Sequence, residues 1–395
     1  MSWCASYVNG MTGLLSNPPL SLYVHMPWCV RKCPYCDFNS HTAPEGLPAE
    51  EYVQALIADL EQDLPMVWGR PVQSIYFGGG TPSLFAADQI AVFLSAVRAR
   101  LSLRPDTEIT LEANPGTIEH DSFSAYADAG VNRVSLGVQS FDDESLGRIG
   151  RIHGRREVEQ SLQSLRTAGI SNFNIDLMYA LPGQNPAQSK RDVELAIAAN
   201  PTHISFYQLT IEPNTAFAAQ PPLLPVDDVP WDMQQTGVGL LEAAGYGQYE
   251  ISAFAQKQMR SRHNVNYWRY GDFLAIGAGA HGKITAPADG SVQRYAKHRH
   301  PKRYLQGLET GDWVAQRQLL SDEERVFEFF LNQLRLREGV HIGDFSARTG
   351  LAWQVVEARV QRAVEKGLLE VDAQRLRPTE LGWRFVNDIQ QMFLP

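Results

Sequence analysis

The stretch Tyr23-Val-His-Met-Pro-Trp-Cys29-Val-Arg-Lys-Cys33-Pro-Tyr-Cys36-Asp-Phe38 decides the fold, because it places three cysteines on one loop directly after a short apolar run. Iron–sulfur clusters normally take four cysteine ligands, so a set of three leaves one iron with an open position. A ligand that is not protein can bind at that position. The spacing therefore predicts a cluster with one reactive iron.

Other uses of the three cysteines are also open at this point. A structural zinc site could recruit His25 or His41 as its fourth ligand, because zinc sites with three cysteines and one histidine are common. A disulfide framework is disfavoured, since only four cysteines serve 395 residues and three of them crowd one loop. The fourth, Cys4, lies in a poorly patterned N-terminal tail and is predicted to be a passive thiol.

Composition favours a soluble, cytoplasmic protein of two or three domains. The chain is 44% hydrophobic and 20% charged, and no apolar run approaches the roughly 18 residues that span a bilayer. The segment from Met11 to Leu22 has no basic start and is broken by prolines, unlike a signal peptide. Clustered cysteines without partners predict a reducing compartment. The net charge of -9 disfavours broad nucleic-acid binding, and no DNA partner is expected.

Short β-rich runs alternate with helical stretches at a period of roughly 30 residues, which is typical of successive βα units. The runs begin at Ser21, Ser74, Glu108, Arg133, Phe173 and His203. Six parallel strands would form an open or partial barrel, whereas closure with eight strands needs more units. We therefore predict an α/β fold with a partial (β/α)6 barrel.

Polar residues and glycines fall at the ends of these predicted strands, where a barrel gathers its reactive groups. The turn Gly78-Gly79-Gly80-Thr81-Pro82 follows the second strand, and its glycines suit either close approach of a ligand or a tight reversal. The next three units supply side chains that can bind hydroxyl, amide or carboxylate groups, or act as caps and surface ion pairs. These side chains are Glu112, Gln139, Arg151 and Asp176.

Taken with this turn, the cysteine spacing resembles the radical S-adenosylmethionine (SAM) superfamily. The resemblance implies that Cys29, Cys33 and Cys36 hold a [4Fe-4S] cluster, whose fourth iron is chelated by the amino and carboxylate groups of SAM. Electron transfer from such a cluster can split SAM into methionine and a 5′-deoxyadenosyl radical. The SAM contacts it implies are Tyr23, Tyr35, Gly79, Gly80, Thr81, Glu112, Gln139, Arg151 and Asp176.

Longer phrases resemble the branch of that superfamily that contains coproporphyrinogen oxidase. They are Phe77-Gly-Gly-Gly-Thr-Pro-Ser83, Gly137-Val-Gln-Ser-Phe141, Ile175-Asp-Leu-Met-Tyr-Ala-Leu-Pro-Gly183 and Tyr207-Gln-Leu-Thr-Ile-Glu-Pro-Asn-Thr215, besides the stretch from Tyr23. The branch contains two main groups, the oxygen-independent coproporphyrinogen III oxidases (HemN) and the HemW-like heme chaperones. The HemN group has a further cysteine where this chain has Phe38, and also a longer N-terminal extension.

The motif His263-Asn-Val-Asn-Tyr-Trp268 resembles the signature of the HemW-like group. The resemblance implies heme contacts from His263, Tyr267 and Trp268, because imidazole is a ready axial ligand of heme iron and aromatic rings can cover a porphyrin face. If the segment is helical, His263 and Tyr267 share one face. A hydrogen-bonded structural role for His263 is the alternative. Gly277-Ala-Gly-Ala-His281-Gly282 follows, and its glycines suit a flat ligand or a tight turn.

The pattern changes after Pro287. The segment from Arg294 to Arg303 is the densest basic stretch, and it suits propionates, anionic lipid, RNA phosphates or, as we expect, a solvated interdomain linker. From Leu320 the periodicity is helical, with a helix start at Ser321. Three helices, a β-ribbon at 367–378 and a closing helix predict a mostly helical, winged-helix-like domain. We predict a tail at 1–19, a core at 20–210, a heme-motif extension and linker at 211–300, and this domain at 301–395.

The resemblance thus implies a heme chaperone that binds a [4Fe-4S] cluster, SAM and heme, and delivers heme to an acceptor such as a respiratory cytochrome. A carrier need not turn substrate over, so we expect no coproporphyrinogen oxidation, whether or not SAM is cleaved. Oxygen-independent coproporphyrinogen III oxidation is the enzymatic alternative, and SAM-dependent tRNA modification is a weaker one. The resemblance leaves peripheral membrane association and oligomeric state open.

Overall fold

The computed structural model describes residues 17–116, 122–226, 228–286 and 288–395. The predictions for Cys4, and for almost all of the tail at 1–19, therefore lie outside the described residues. The strands are β1 (Leu20–Met26), β2 (Trp28–Cys29), β3 (His41–Thr42), β4 (Val72–Gly79), β5 (Leu103–Ala113), β6 (Arg133–Gln139), β7 (Phe173–Tyr179), β8 (His203–Gln208), β9 (Gly247–Glu250), β10 (Ala253–Ala255), β11 (Asp272–Ile276), β12 (His281–Thr285), β13 (Val292–Lys297), β14 (Val314–Leu319), β15 (Val340–His341), β16 (Leu369–Val371) and β17 (Arg375–Pro378).

The helices lie between these strands and in the C-terminal part of the chain. They are α1 (Ala49–Asp63), α2 (Ala87–Arg100), α3 (Phe123–Ala129), α4 (Asp143–Arg148), α5 (Arg155–Thr167), α6 (Pro186–Ala198), α7 (Ala216–Ala219), α8 (Val229–Ala243), α9 (Arg262–Trp268), α10 (Pro301–Leu305), α11 (Gly307–Thr310), α12 (Asp322–Gln333), α13 (Ile342–Thr349), α14 (Gln354–Glu365), α15 (Glu380–Arg384) and α16 (Val386–Gln391). Short 3₁₀ turns lie at Leu64–Val67 and Pro82–Leu84.

The six predicted parallel strands are present and adjacent, in the order β1-β4-β5-β6-β7-β8 within one 12-stranded sheet. The residues of β1, β4, β6 and β7 are mostly buried, as expected for parallel strands covered on both faces. The prediction of a partial barrel on an α/β scaffold is confirmed. Because every one of these strands runs in the same direction, their carboxyl ends meet at one edge and form the site.

Sequence patterning missed the strands that extend this sheet beyond β1. β11 pairs in parallel with β1, from Leu20 opposite Asp272 to Val24 opposite Ile276. β12, β13 and β14 then add antiparallel neighbours. The segment 272–300, which we assigned to an extension and linker, therefore builds one end of the main sheet.

The interpretation of the basic segment as a solvated linker is wrong for residues 294–297, whereas Arg299, His300 and Lys302 are exposed. Its first residues form β13, and the Lys297 side chain is fully buried between Asp59 and Asp63, with Nζ to oxygen distances of 2.5 and 2.6 Å. Arg294 is paired with Glu328, also at 2.6 Å. Charged groups buried in this way need partners, and α1 supplies two of them. The tRNA hypothesis loses part of its basis, because Lys297 and Arg294 are engaged within the fold, although Arg299 and Lys302 are exposed.

The C-terminal part folds around its own core, as predicted. Ser321 caps α12 with a full capping box to Glu324, which explains why the helix begins there. Stacked and edge-on rings of Phe329, Phe330, Phe345 and others fill the space between α12, α13 and α16. β15, β17 and β16 form a small antiparallel sheet beside them. Among the described residues, we find no helix with the length and apolar character needed to cross a membrane.

Candidate active site

The cysteine loop lies at the carboxyl end of β1 and places three free thiols along one cavity. Cys29 ends β2, and a turn from the Cys36 amide to the Cys33 carbonyl, 3.1 Å, brings the other two cysteines together. Burial raises the pKa of Cys29 and Cys36, although ligation to iron would deprotonate both thiols. This set of thiols fits a cluster with three protein ligands.

The geometry does not assemble the alternative zinc site. Both ring nitrogens of His25 are engaged, with Nδ1 2.9 Å from the Tyr23 hydroxyl and Nε2 2.8 Å from the Asn39 carbonyl. His41 packs edge-on against His300. Within the described ranges, no three cysteine, histidine or acidic side chains converge closely enough for a single metal ion.

The glycine turn after β4 is packed against the end of β1 and the start of the cysteine loop. A Cβ on Gly79, whose φ is +110°, would lie 2.4 Å from the His25 ring, and one on Gly80 would lie 2.5 Å from the Trp28 carbonyl oxygen. The amides of Gly80 and Thr81 already donate to the carbonyls of Met26 and Trp28. A ligand amino group would therefore meet carbonyl oxygens of this turn rather than amides.

Glu112, on β5, lies deep between two cavities. Its oxygens accept hydrogen bonds from the Tyr76 hydroxyl, 2.8 Å, and the Gly79 amide, 3.1 Å. Burial raises the pKa of Glu112 to about 7, the nearby Asp176 adds to the rise, and the two hydrogen bonds oppose it. Asp176, on β7, is half-buried like Glu112, and the removal of its carboxylate from water raises its pKa, although Asn174 and Ser135 donate to it.

Arg151 connects the cysteine loop to the strand ends. One guanidinium nitrogen lies 3.5 Å from the Cys33 sulfur, and the other donates to the Gly137 carbonyl at 2.6 Å and to the Asn114 side chain. A fixed cation beside the thiols favours negative charge there. Its planar fork remains close enough to the cavity to meet a carboxylate.

Eight of the nine predicted SAM contacts line the same cavity as the three cysteines. They are Tyr35, Gly79, Gly80, Thr81, Glu112, Gln139, Arg151 and Asp176. Tyr23 does not line this cavity; it lines a neighbouring one. The Tyr23 ring is stacked with Tyr76, with centroids 6.4 Å apart, and its hydroxyl lies 2.9 Å from Nδ1 of His25, which lines the same neighbouring cavity.

Two functional side chains were missed in the sequence. Asn114 donates to the Thr81 hydroxyl at 3.0 Å and accepts from Arg151. The Tyr207 hydroxyl donates to the side-chain oxygen of Gln139 at 2.9 Å. This hydrogen bond fixes the side-chain amide of Gln139, a residue whose backbone φ is +68°. Asn114 directly follows β5, and Tyr207 lies near the end of β8. A search for polar residues at the carboxyl ends of the predicted strands, which identified Glu112 and Asp176, would also have identified these two.

The second cavity has a volume of about 480 Å³ and lies between the main sheet and α12. Its walls carry aromatic rings, including Tyr23, Tyr267 and Phe273, and basic or imidazole groups, including His281 and Arg299. It shares Phe38, Gly79 and Glu112 with the cysteine cavity. A volume of this size lies within the range of cavities that bind small molecules and cofactors.

The histidine motif forms α9, and His263 and Tyr267 share a face as predicted, with ring centroids 5.0 Å apart. Only Tyr267 of the three motif residues lines the second cavity. His263 is 2% exposed, is stacked on Tyr76 with its centroid 4.8 Å away, and lines neither cavity. Burial lowers the pKa of His263 to about 3, so its ring is neutral. Trp268 lies under the guanidinium of Arg335.

This fold and this site define a protein of the radical SAM superfamily. A family model described as "Radical SAM superfamily" matches residues 23–196, and one described as "HemN C-terminal domain" matches residues 320–385. The coproporphyrinogen III oxidase HemN of Escherichia coli has a solved structure with a TM-score of 0.80 and 25% identity, covering 95% of this chain and 90% of that one.

Similar proteins with assigned names identify the family within that superfamily. A protein of Escherichia coli (strain K12) named "Heme chaperone HemW" is 48% identical, over 95% of this chain and 98% of its own length. A protein of the same name from Haemophilus influenzae is 45% identical, with the same coverage. A mitochondrial "Radical S-adenosyl methionine domain-containing protein 1" of Bos taurus is 34% identical, over 90% of this chain and 83% of its own. The chain belongs to the HemW family.

Proposed function

We propose that the protein is a heme chaperone, which binds heme and transfers it to an acceptor protein such as a respiratory cytochrome. The observation that carries the proposal is the 48% identity, over nearly the full length of both chains, to a relative named as a heme chaperone. We propose that it acts in the cytoplasm. The cavity of about 480 Å³ is lined by aromatic rings and the Arg299 guanidinium, as well as by Asp37 and Glu112. The rings support a flat, mostly apolar cargo, and Arg299 supports an anionic group on it.

We further propose that Cys29, Cys33 and Cys36 hold a [4Fe-4S] cluster and that SAM lies along the cavity beside them. Bound together, the two would supply one-electron chemistry on the SAM sulfonium. The polar residues of the chain would orient SAM: Glu112 and Asp176 offer carboxylate oxygens to the ribose hydroxyls, and Arg151 offers its fork to the SAM carboxylate. Tyr35 offers a ring face to the adenine.

The shared wall between the two cavities suggests how these ligands could influence each other. Both cavities are lined by Phe38, Gly79 and Glu112. A shift of these three residues on SAM binding in the cysteine cavity would therefore also change the wall of the second cavity, where heme would bind. SAM would then act as a regulator of heme affinity, with no turnover of the cargo. A measurement of heme affinity with and without SAM tests this coupling, and equal affinities would contradict it.

The fold similarity to HemN favours coproporphyrinogen III oxidation as a second candidate. Phe38, which is 64% exposed at the junction of the cavities, stands where the HemN group has a further cysteine. One anaerobic experiment on protein with a reconstituted cluster distinguishes the heme chaperone function from coproporphyrinogen III oxidation. A carrier retains heme in a one-to-one complex and passes it to an apo-cytochrome. An oxidase converts coproporphyrinogen III when SAM and a reductant are supplied.

A further inference from the structure

We propose that the cargo heme lies in the second cavity with its iron bound by His281 and a propionate bound by Arg299. This inference rests on the proposed function and deepens it, because it assigns the ligands. His263, the histidine of the α9 motif, would then support the wall of the site from behind and would not bind iron.

His281 has the exposure and the rigid backbone that an axial ligand needs. It is the first residue of β12, and pairing with Ala296 on β13 fixes its backbone. Its side chain is exposed and lines the second cavity. In the part of the chain that the structure describes, no hydrogen bond or ion pair engages its ring. A neutral imidazole with a free nitrogen is the usual histidine ligand of heme iron.

The other two histidines near the cavity are less accessible to a ligand, one because its ring nitrogens are engaged and the other because its ring is enclosed. Both ring nitrogens of His25 have polar partners within 2.9 Å. His263 has Nδ1 3.2 Å from the Ser74 hydroxyl, whereas its Nε2 has no hydrogen-bond partner among the described residues. The ring is nevertheless enclosed by Tyr23, Tyr76 and Tyr267, is 2% exposed and lines neither cavity. To reach iron, either histidine would first have to break contacts that hold the sheet and α9 together.

The α9 motif nonetheless contributes to the proposed site. His263 packs edge-on against Tyr267, and Tyr267 packs against Phe273 with ring centroids 4.1 Å apart. Tyr267 and Phe273 both line the cavity. They offer apolar surface for one region of a porphyrin, and the exposed Phe38 offers more at the cavity junction. The buried His263 ring thus sets the position of Tyr267.

Arg299 is the basic side chain at this cavity that has no ionic partner within the described ranges. Lys283 is buried with Asp272, 3.0 Å away, and Arg294 is held by Glu328 at 2.6 Å. Arg299 is exposed, and its carbonyl accepts from the Asn39 side chain at 2.9 Å, which anchors its backbone. A guanidinium held at the mouth of an aromatic cavity suits a propionate carboxylate.

The first test measures iron ligation directly. Full-length protein with a reconstituted, oxidised cluster is titrated anaerobically with ferric heme, and the heme is followed by electron paramagnetic resonance, in which that cluster is silent. We expect His281→Ala to lose the histidine-ligated signal of the wild type, to weaken binding by at least about tenfold, and to regain the signal when free imidazole is added. His341→Ala, which removes an exposed histidine of the C-terminal domain, is the matched control and should behave like the wild type.

The second test measures the propionate contact. We expect Arg299→Gln to weaken heme binding by about tenfold and to leave the affinity for heme dimethyl ester unchanged. Arg303→Gln, which changes an arginine of the same segment that is paired with Asp312, is the control. Equal losses for heme and its ester would overturn the assignment of Arg299.

The outcomes separate this inference from the function on which it rests. A wild-type protein that binds no heme contradicts the chaperone function itself. A wild type that binds heme, with an unchanged signal in His281→Ala and a lost signal in His263→Gln, overturns the assignment of His281 only. For any variant with weakened binding, near-wild-type cluster content and thermal unfolding show that the loss is not a folding defect.

Discussion

The Tyr76 hydroxyl donates a 2.8 Å hydrogen bond to the Glu112 carboxylate at the wall that separates the two cavities. The contact joins β4 to β5, and the other oxygen of Glu112 accepts from the glycine turn at Gly79. One half-buried carboxylate thus connects the turn, the sheet and both candidate ligand sites. Because the pKa of Glu112 is raised in the folded protein, we expect its ionisation to change the stability of the fold.

Replacing Glu112 with glutamine should change the pH dependence of stability. The pKa of Glu112 is raised from 4.5 to about 7, so the folded protein retains a proton that the unfolded chain has lost in this range. The free energy of unfolding of the wild type therefore falls as the pH rises from about 4.5 to 7, by on the order of 3 kcal/mol from this group, and the variant lacks that term. Denaturant unfolding of the protein without SAM, between pH 5 and 8, should show the variant gaining relative to the wild type. A constant difference would contradict the raised pKa.

The glycine turn should tolerate no side chain at Gly80. A methyl group there would lie 2.5 Å from the Trp28 carbonyl oxygen, which is backbone and has little freedom to move. We expect Gly80→Ala to lower the free energy of unfolding by about 1–3 kcal/mol. Gly239→Ala is the control, since a Cβ in the middle of α8 meets nothing within 4 Å and should stabilise the protein by roughly 0.5–1 kcal/mol. Equal effects at the two glycines would argue against the crowded turn.

The Lys297 network should be a major stabilising element rather than part of a surface. Lys297→Met leaves Asp59 and Asp63 buried without their cation, and we expect a loss of about 3–5 kcal/mol in thermal or denaturant unfolding. Lys302→Met, at an exposed position in the same basic segment, should change stability by less than about 0.5 kcal/mol. Similar small effects for both variants would restore the linker interpretation.

Each cysteine of the loop should be required for the cluster. Alanine at Cys29, Cys33 or Cys36 removes one of three ligands, and we expect iron and sulfide contents after anaerobic reconstitution to fall well below those of the wild type. Cys4→Ala is the control and should keep full iron content. A wild-type iron content in any of the three loop variants would mean that the set does not hold the cluster as proposed.

Local patterns predicted the parallel core and many of the residues that line the cysteine cavity. Residues at strand ends are identifiable because parallel strands bring those ends together, and the rule located Glu112, Gln139 and Asp176. The sequence did not predict β12, β13 and β14. The ion pairs that bury Lys297 on β13 are long-range, because Asp63 and Asp59 on α1 lie 234 and 238 residues away in the chain. No local pattern distinguishes a buried, paired lysine from a solvated one.

The positions of the histidines also required the three-dimensional structure. The motif drew attention to His263, and helical spacing correctly placed it with Tyr267. The spacing of two residues along a helix predicts whether they share a face, but it does not predict which side chains pack against that face. Tyr23 and Tyr76, from β1 and β4, cover His263, whereas β12 carries His281 to the open cavity.

The most direct test of the central claim is a titration of the anaerobically reconstituted wild-type protein with heme, with coproporphyrinogen III, SAM and reductant supplied in a parallel sample. We predict saturable, one-to-one heme binding, transfer of that heme to an apo-cytochrome, and no protoporphyrinogen product. Turnover of coproporphyrinogen III without retained heme would contradict the chaperone function and would make the protein an oxidase despite Phe38.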